Sequence, residues 1–196
     1  MLSKERQRLM QDMHDGLGSS LTSAIHSVER GAMSDAEVSQ LLKDCMDDLK
    51  LAIDSMEPTE ADLLLLLATL RFRLASRIKC AGVTLHWEVR ELPALEWLDP
   101  SAALHILRIL QESLANVLRH THATEIRVST EDMGDAVQVT IEDNGQGFDV
   151  EHAHAHSTGR GLRNQLRRAE ALRGRAGWQS GPAGTCFTLW LPLRAA

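Results

Sequence analysis

Val38, Leu42, Cys45, Leu49, Ala52 and Met56 recur at spacings of 4, 3, 4, 3 and 4, and the pattern stops at Pro58. This is the repeat of a coiled-coil seam, and a chain that carries it must bury the stripe against other helices. Leu41 and Ile53 widen it. Upstream, residues from about 3 to 29 hold no proline, and Met10, Met13, Leu17, Leu21, Ala24, Ile25 and Val28 fall on one stripe at ~100° per residue. The segment RGAMSD separates the two patterns, and Ser34 with Glu37 forms a capping box for the second. Two helices joined by a short turn make an αα-hairpin. A lone hairpin leaves stripes this wide uncovered. Two copies about a two-fold axis bury them as a four-helix bundle, so a homodimer is expected.

Beyond Pro58 the period changes. Thr59 is placed to cap a helix running to about Lys79, and VTLHWEV at 83–89 reads as a strand. Asp99 and Pro100, an N-cap followed by a first-turn proline, start a long helix ending near His120. Strands are expected at 124–130 and 136–142, with a turn at 133–135, then a glycine-rich loop over 143–161. A helix over 162–173 and strands at 175–180 and 185–191 complete the order. Helices segregated on one face of a mixed sheet give an α/β sandwich. The fold class is therefore α+β, a helical hairpin at 1–57 followed by a sandwich domain at 58–196.

Composition narrows the function. Apolar residues make up 43% and charged residues 24%, enough for a core and against overall disorder. The 27 acidic residues outnumber 21 basic ones, for a net charge of −6, which disfavours nucleic-acid binding by bulk positive charge. Cys45, Cys80 and Cys186 form no CxxC pair and are odd in number, so a reducing compartment is expected. The longest apolar run, Leu63 to Leu67 extended by Ala68, is too short to span a bilayer, and the first residues have no signal-peptide core. The segment is read as cytoplasmic, without membrane contact of its own, and compatible with the cytoplasmic end of a longer membrane protein. No GxxxxGK[ST] and no GxGxxG opening a βαβ unit is present, so neither a P-loop nor a dinucleotide fold is supported.

Five segments can carry chemistry. On the 100–120 helix, Glu112 and Asn116 lie one turn apart, opposite the apolar face of Leu107, Leu110, Leu114, Val117 and Leu118, with His120 a turn further. A carboxylate and an amide oxygen at this spacing suit a hydrated Mg²⁺, or simply a solvated face. In IEDNGQGF, 141–148, Asp143 follows a strand expected to be buried, and Gly145 and Gly147 let backbone approach a flat ring. Such a carboxylate accepts from an exocyclic amine such as that of adenine. In STGRGLRNQLRRAEAL, 157–172, Gly159 and Gly161 precede a helix start, where free N–H groups cradle phosphate and Arg160 and Arg163 add charge. Thr185, in GPAGT at 181–185, either donates to a phosphate or fills a turn. In the first helix, His14 sits at the edge of the apolar stripe beside Asp15, which is placed to orient the ring or take its proton.

Together these segments resemble the catalytic core of a bacterial two-component sensor histidine kinase, of the subgroup of nitrate-sensor and thermosensor kinases. MHDGLGSSL, 13–21, resembles the histidine box and implies His14 as the phosphorylated residue. QESLANVLRHTHAT, 111–124, resembles the N box, which implies Glu112 and Asn116 near Mg²⁺ and Arg119 and His120 near the phosphates. EDNGQGF resembles the first glycine box, with Asp143, Gly145 and Gly147 about the adenine. GRGLRNQLRRAEALRG, 159–174, resembles the second, with Gly159, Arg160, Gly161 and Leu162 about the nucleotide, and Thr185 belongs to the closing strands.

The resemblance implies a sandwich of the gyrase, Hsp90, histidine kinase and MutL type, ATP and Mg²⁺ as ligands, and His14, Asp15 and Glu112 as catalytic residues. It also implies a receiver-domain partner carrying a helix-turn-helix output, so that the partner and not this chain touches DNA. Ser19 stands where the subgroup often has a water-positioning Gln, so the resemblance implies autophosphorylation and leaves phosphatase activity open. The HAHAH run at 152–156 reads as part of a short solvated lid, with transition-metal binding as the other reading. Three rival functions stay open: a degenerate nucleotide-binding scaffold, a gyrase- or Hsp90-like ATPase, and an anti-sigma serine kinase.

Overall fold

The computed structural model describes residues 62–155 and 160–194, together with 25, 26, 28, 29, 34, 38, 39, 42 and 46. The chain divides into two compact units, Met1–Glu60 and Ala61–Ala196. In the first, Ile25, His26, Val28 and Glu29 are helical, as are Val38, Ser39, Leu42 and Met46. The Val38 N–H donates to the Ser34 carbonyl at 3.0 Å, so a helical turn begins at the residue expected to cap it. Ile25, Val28, Leu42 and Met46 are all about half exposed in the single chain. The histidine-box residues His14, Asp15 and Ser19 lie outside the described residues.

The second unit is built from α1 (Leu63–Cys80), β1 (Thr84–Glu88), α2 (Pro100–His120), β2 (Glu125–Asp132), β3 (Ala136–Asp143), α3 (Val150–Ala155), α4 (Arg160–Ala171), β4 (Arg175–Gly181) and β5 (Gly184–Pro192). The strands form one sheet in the order β1-β2-β3-β5-β4. Only β1 and β2 are parallel, and α2 is the crossover between them. Every other neighbouring pair is antiparallel. The helices lie in one layer, α1 against α2 and α2 against α4. The strands record this by alternation: Val137, Val139, Ile141 and Asp143 of β3, and Thr185, Phe187, Leu189 and Leu191 of β5, are buried, while the residues between them are less so. The α/β sandwich expected from the element order is the fold observed.

Local chemistry explains most boundaries. Asp99 Oδ1 accepts from the Ala102 N–H at 2.7 Å, and Pro100 occupies the first turn where no N–H is needed. Between β2 and β3, Asp132 Oδ1 accepts from the Gly134 N–H at 2.8 Å, and Gly134 takes φ +85°. Two expectations need correction. The cap of α1 is Asp62, whose Oδ1 accepts from the Leu64 N–H at 2.7 Å; a capping aspartate directly before the leucine run starts the helix later than a cap at Thr59 would. The loop expected over 143–161 contains α3, and α4 begins at Arg160 rather than at residue 162. Asp149 makes the start of α3, accepting from the His152 N–H through Oδ1 at 2.8 Å.

Leu110 of α2 is wholly buried, as are Val139 and Leu189 in the strands. Leu110→Ala is expected to cost ~3 kcal/mol, from lost transfer energy and the cavity left behind. All four tryptophans, at 87, 97, 178 and 190, belong to the second unit. Denaturant unfolding followed by their fluorescence therefore reads this unit, and an unchanged midpoint would contradict the packing described.

Candidate active site

Glu112 and Asn116 stand one turn apart on α2, both partly buried, on the wall of a cavity of about 510 Å³. Arg119, His120 and Thr121 continue that wall to the end of the helix. Thr121 is buried and caps it: the hydroxyl donates to the Val117 carbonyl at 3.0 Å, and the N–H to the same oxygen at 3.2 Å. Its own carbonyl accepts the Gln146 N–H at 2.7 Å, which ties the loop after β3 to α2. A second tie joins the side chain of Gln146, through Nε2, to the His120 carbonyl at 3.0 Å. Asn144 anchors the same loop to the start of β2, its Oδ1 accepting from the N–H groups of Thr124 and Glu125, each at 2.9 Å.

These ties aim Asp143. It is the last residue of β3, paired with Thr185 of β5, and only 8% exposed. Oδ1 accepts the Gly145 N–H at 2.8 Å. Oδ2 is buried and has no hydrogen-bond partner among the described residues. Burial lifts the Asp143 carboxyl above the ordinary aspartate range, and the Gly145 N–H, with the polar groups of Thr121 and Thr185 nearby, offsets only part of that rise. A buried carboxylate oxygen left open is costly, and it lines the cavity, where a ligand N–H can meet it.

The backbones below the site are in contact. A Cβ on Gly147 would run into the Gly181 carbonyl, and one on Gly184, at φ +127°, would overlap the Asp143 carbonyl. Sheet register then fills the interior. Phe187 lies beside Ile141 on one side and Trp178 on the other, and the two aromatic rings are 5.4 Å apart, tilted by 46°. With Val117, Phe148 and Leu162 they make an apolar cleft with room for a flat ring. Ser180 and Thr185 share a hydroxyl–hydroxyl hydrogen bond of 2.8 Å, and Ser180 Oγ also accepts the Phe148 N–H at 2.9 Å. On the far side, the start of α4 comes so close to α2 that a Cβ on Gly161 would lie 2.6 Å from Glu112 Oε1.

Of the residues singled out by sequence, Glu112, Asn116, Arg119, His120, Asp143, Gly147, Gly161, Leu162 and Thr185 all line this one cavity. Gly145 does not line it. It is buried against Thr121, and holds Asp143 from behind. Arg160 opens α4, and Gly159 lies outside the described residues, as do His14 and Asp15. The aromatic floor was missed, although Phe187 is two residues beyond Thr185 on the same strand and strand alternation alone puts both on one face. Glu112 and Asn116 offer hard oxygen donors, and no cluster of three His, Cys, Asp or Glu among the described residues forms a metal cage. That donor set fits Mg²⁺, which takes one or two protein oxygens and completes its shell with water and phosphate.

Comparisons with known proteins agree with this geometry. Residues 101–195 match the family described as histidine kinase-, DNA gyrase B- and HSP90-like ATPase. The chain is 26% identical to the sensor histidine kinase MctS of Rhizobium johnstonii, over 98% of this chain and 44% of that protein. It is 27% identical to the sensor histidine kinase YxjM of Bacillus subtilis, over 97% of this chain and 48% of that protein. It thus spans just under half the length of the curated relatives it matches. In fold it is similar to the histidine kinase domain of the Erythrobacter litoralis blue-light activated histidine kinase, with a TM-score of 0.66 at 15% identity, covering 98% of this chain and 94% of that one. Residues 101–195 thus match a histidine kinase-, DNA gyrase B- and HSP90-like ATPase domain, and nearly the whole chain is similar to sensor histidine kinases.

Proposed function

We propose that the protein is an ATP-dependent histidine kinase that phosphorylates His14 and passes the phosphoryl group to an aspartate on a response-regulator receiver domain. The observation that carries the reading is Asp143 Oδ2, a buried acceptor without a partner among the described residues, on the wall of an apolar cleft. An adenine amine supplies the missing donor, and the walls of Ile141, Trp178 and Phe187 take the ring faces. Glu112, Asn116, Arg119 and Gly161 line the same cleft, and we assign them to its phosphate end. Glu112 and Asn116 are the residues proposed to hold Mg²⁺. When bound, the ion neutralises charge on the phosphate oxygens.

In the proposed reaction a neutral ring nitrogen of His14 attacks the γ-phosphorus. The N–P bond forms as the bond to the ADP oxygen breaks, and the proton on the other ring nitrogen passes to a carboxylate. Asp15, next in sequence, and Glu112 are the two candidates for orienting the ring and holding that proton. Arg119, Arg160 and His120 are assigned to the phosphates, as are the N–H groups at the start of α4. The half-exposed Ile25, Val28, Leu42 and Met46 support a homodimer in which the hairpins cover one another. No helix among the described residues is long and apolar enough to cross a membrane, and the segment is assigned to the cytoplasm, where ATP and receiver domains are found.

Two outcomes test this. Labelled ATP should mark the wild-type chain with phosphate that is acid-labile and alkali-stable, and His14→Gln should reduce labelling to background; undiminished labelling of the variant would remove His14 from the mechanism. Asp143→Asn should weaken adenosine binding about 10–100-fold, the worth of a charge-assisted hydrogen bond of ~1.5–3 kcal/mol. The same change should raise the unfolding midpoint of the unliganded protein, because it removes a desolvated charge. Since the folded pKa of Asp143 is raised, the unliganded wild type should lose stability as pH climbs from the ordinary aspartate range to that raised value. Melting curves should show this increment in the wild type and not in Asp143→Asn.

A further inference from the structure

Gln165 of α4 is fully buried, and the nucleotide site as described gives it no task. Its side-chain nitrogen donates to the Ile109 carbonyl at 2.9 Å and to Ser113 Oγ at 2.6 Å, both on α2. Ser113 in turn donates to the same Ile109 carbonyl at 3.2 Å, closing a three-membered ring of hydrogen bonds between the helices. The amide oxygen of Gln165 has no partner among the described residues. Both donors are therefore spent on α2 while the acceptor stays buried and open. An apolar side chain of the same length would avoid that penalty. Apolar contact, however, is non-directional, whereas two hydrogen bonds to residues one turn apart fix both rotation and translation of one helix against the other.

Position gives this contact its meaning. Gln165 lies one turn after Gly161, so both project from the same face of α4. Ser113 is next to Glu112, whose Oε1 reaches within 2.6 Å of where a Cβ on Gly161 would stand. We infer that Gln165 is a positioning residue for the phosphate end of the cleft: by clasping Ile109 and Ser113 it holds the first turn of α4 at a set place beside Glu112 and Asn116. It acts through Gly161 and Leu162, which line the cavity, and does not line it itself. The Asp143 end is held by independent ties from Asn144 and Gln146, so loss of Gln165 loosens one end of the cleft and spares the other. The inference rests on the nucleotide reading of that cleft.

Gln165→Met keeps an unbranched side chain of similar length and leaves the Ser113 hydroxyl bonded to Ile109. Gln165→Leu is a second variant in case methionine packs poorly. In the whole chain, the unfolding midpoint and the affinities for adenosine and for ATP with Mg²⁺ are measured for each, the binding read from tryptophan fluorescence. The expected result is a midpoint equal to or above wild type, adenosine affinity within about twofold, and ATP affinity weakened about five- to tenfold, all read directly as ratios. ATP affinity within twofold of wild type would overturn the inference, and so would equal weakening of both ligands with a lowered midpoint, the mark of a purely structural role. A wild-type chain that binds neither ligand would overturn the nucleotide reading itself, which separates the two failures.

Discussion

The end of β3 is where packing and chemistry compete in this molecule. Asp143 occupies a position in the buried series Val137, Val139, Ile141, where the sheet calls for an apolar side chain. Its carboxylate is stripped of water and only half satisfied, by Gly145 and not at Oδ2. Such a group persists when the surroundings leave it no alternative. Here they do so through the loop and its neighbours: 143–148 is tied to α2 by Gln146 and to β2 by the Asn144 side chain, and β5 passes so close at Gly184 that no Cβ would fit beside the Asp143 carbonyl. The costly element is thus a desolvated carboxylate held in place by the loop around it.

Much of this was legible in the sequence because it is local. Asp99–Pro100 announces α2, and the alternation of 136–142 announces β3, since cap chemistry and the two-residue period act over a few residues. The hairpin cap at Ser34 was equally readable. What failed was also local but ambiguous. Thr59 and Asp62 both offer a capping oxygen, and only the fit of Leu63, Leu67, Leu70 and Leu74 into the core selects the later start. The short helix Val150–Ala155 depends on Asp149 and on contacts with α4 and β4, and histidines alternating with alanines give no helical stripe.

The site was legible as polar residues and not as a cavity. Glu112, Asn116 and Asp143 stand out because polar groups interrupt apolar patterns. Trp178, Phe187 and Ile141 do not, because a residue that lines a cleft and one that fills a core obey the same pattern. Only the pairing of β3 with β5 and of β5 with β4 brings the three side by side. Gln165 was invisible for a related reason: a glutamine on a helix rich in arginine reads as surface, and its burial follows from the approach of α4 to α2.

The walls of the cleft come from residues as distant in the chain as Glu112 and Phe187, joined by a sheet in which sequence order is not spatial order. Contacts of such long sequence separation form late, after the entropy of closing large loops has been met. On the proposed function, this unit cannot hold a nucleotide until β5 has slotted between β3 and β4. Occupancy becomes a certificate of completed folding, and a truncated or half-assembled copy is silent by construction.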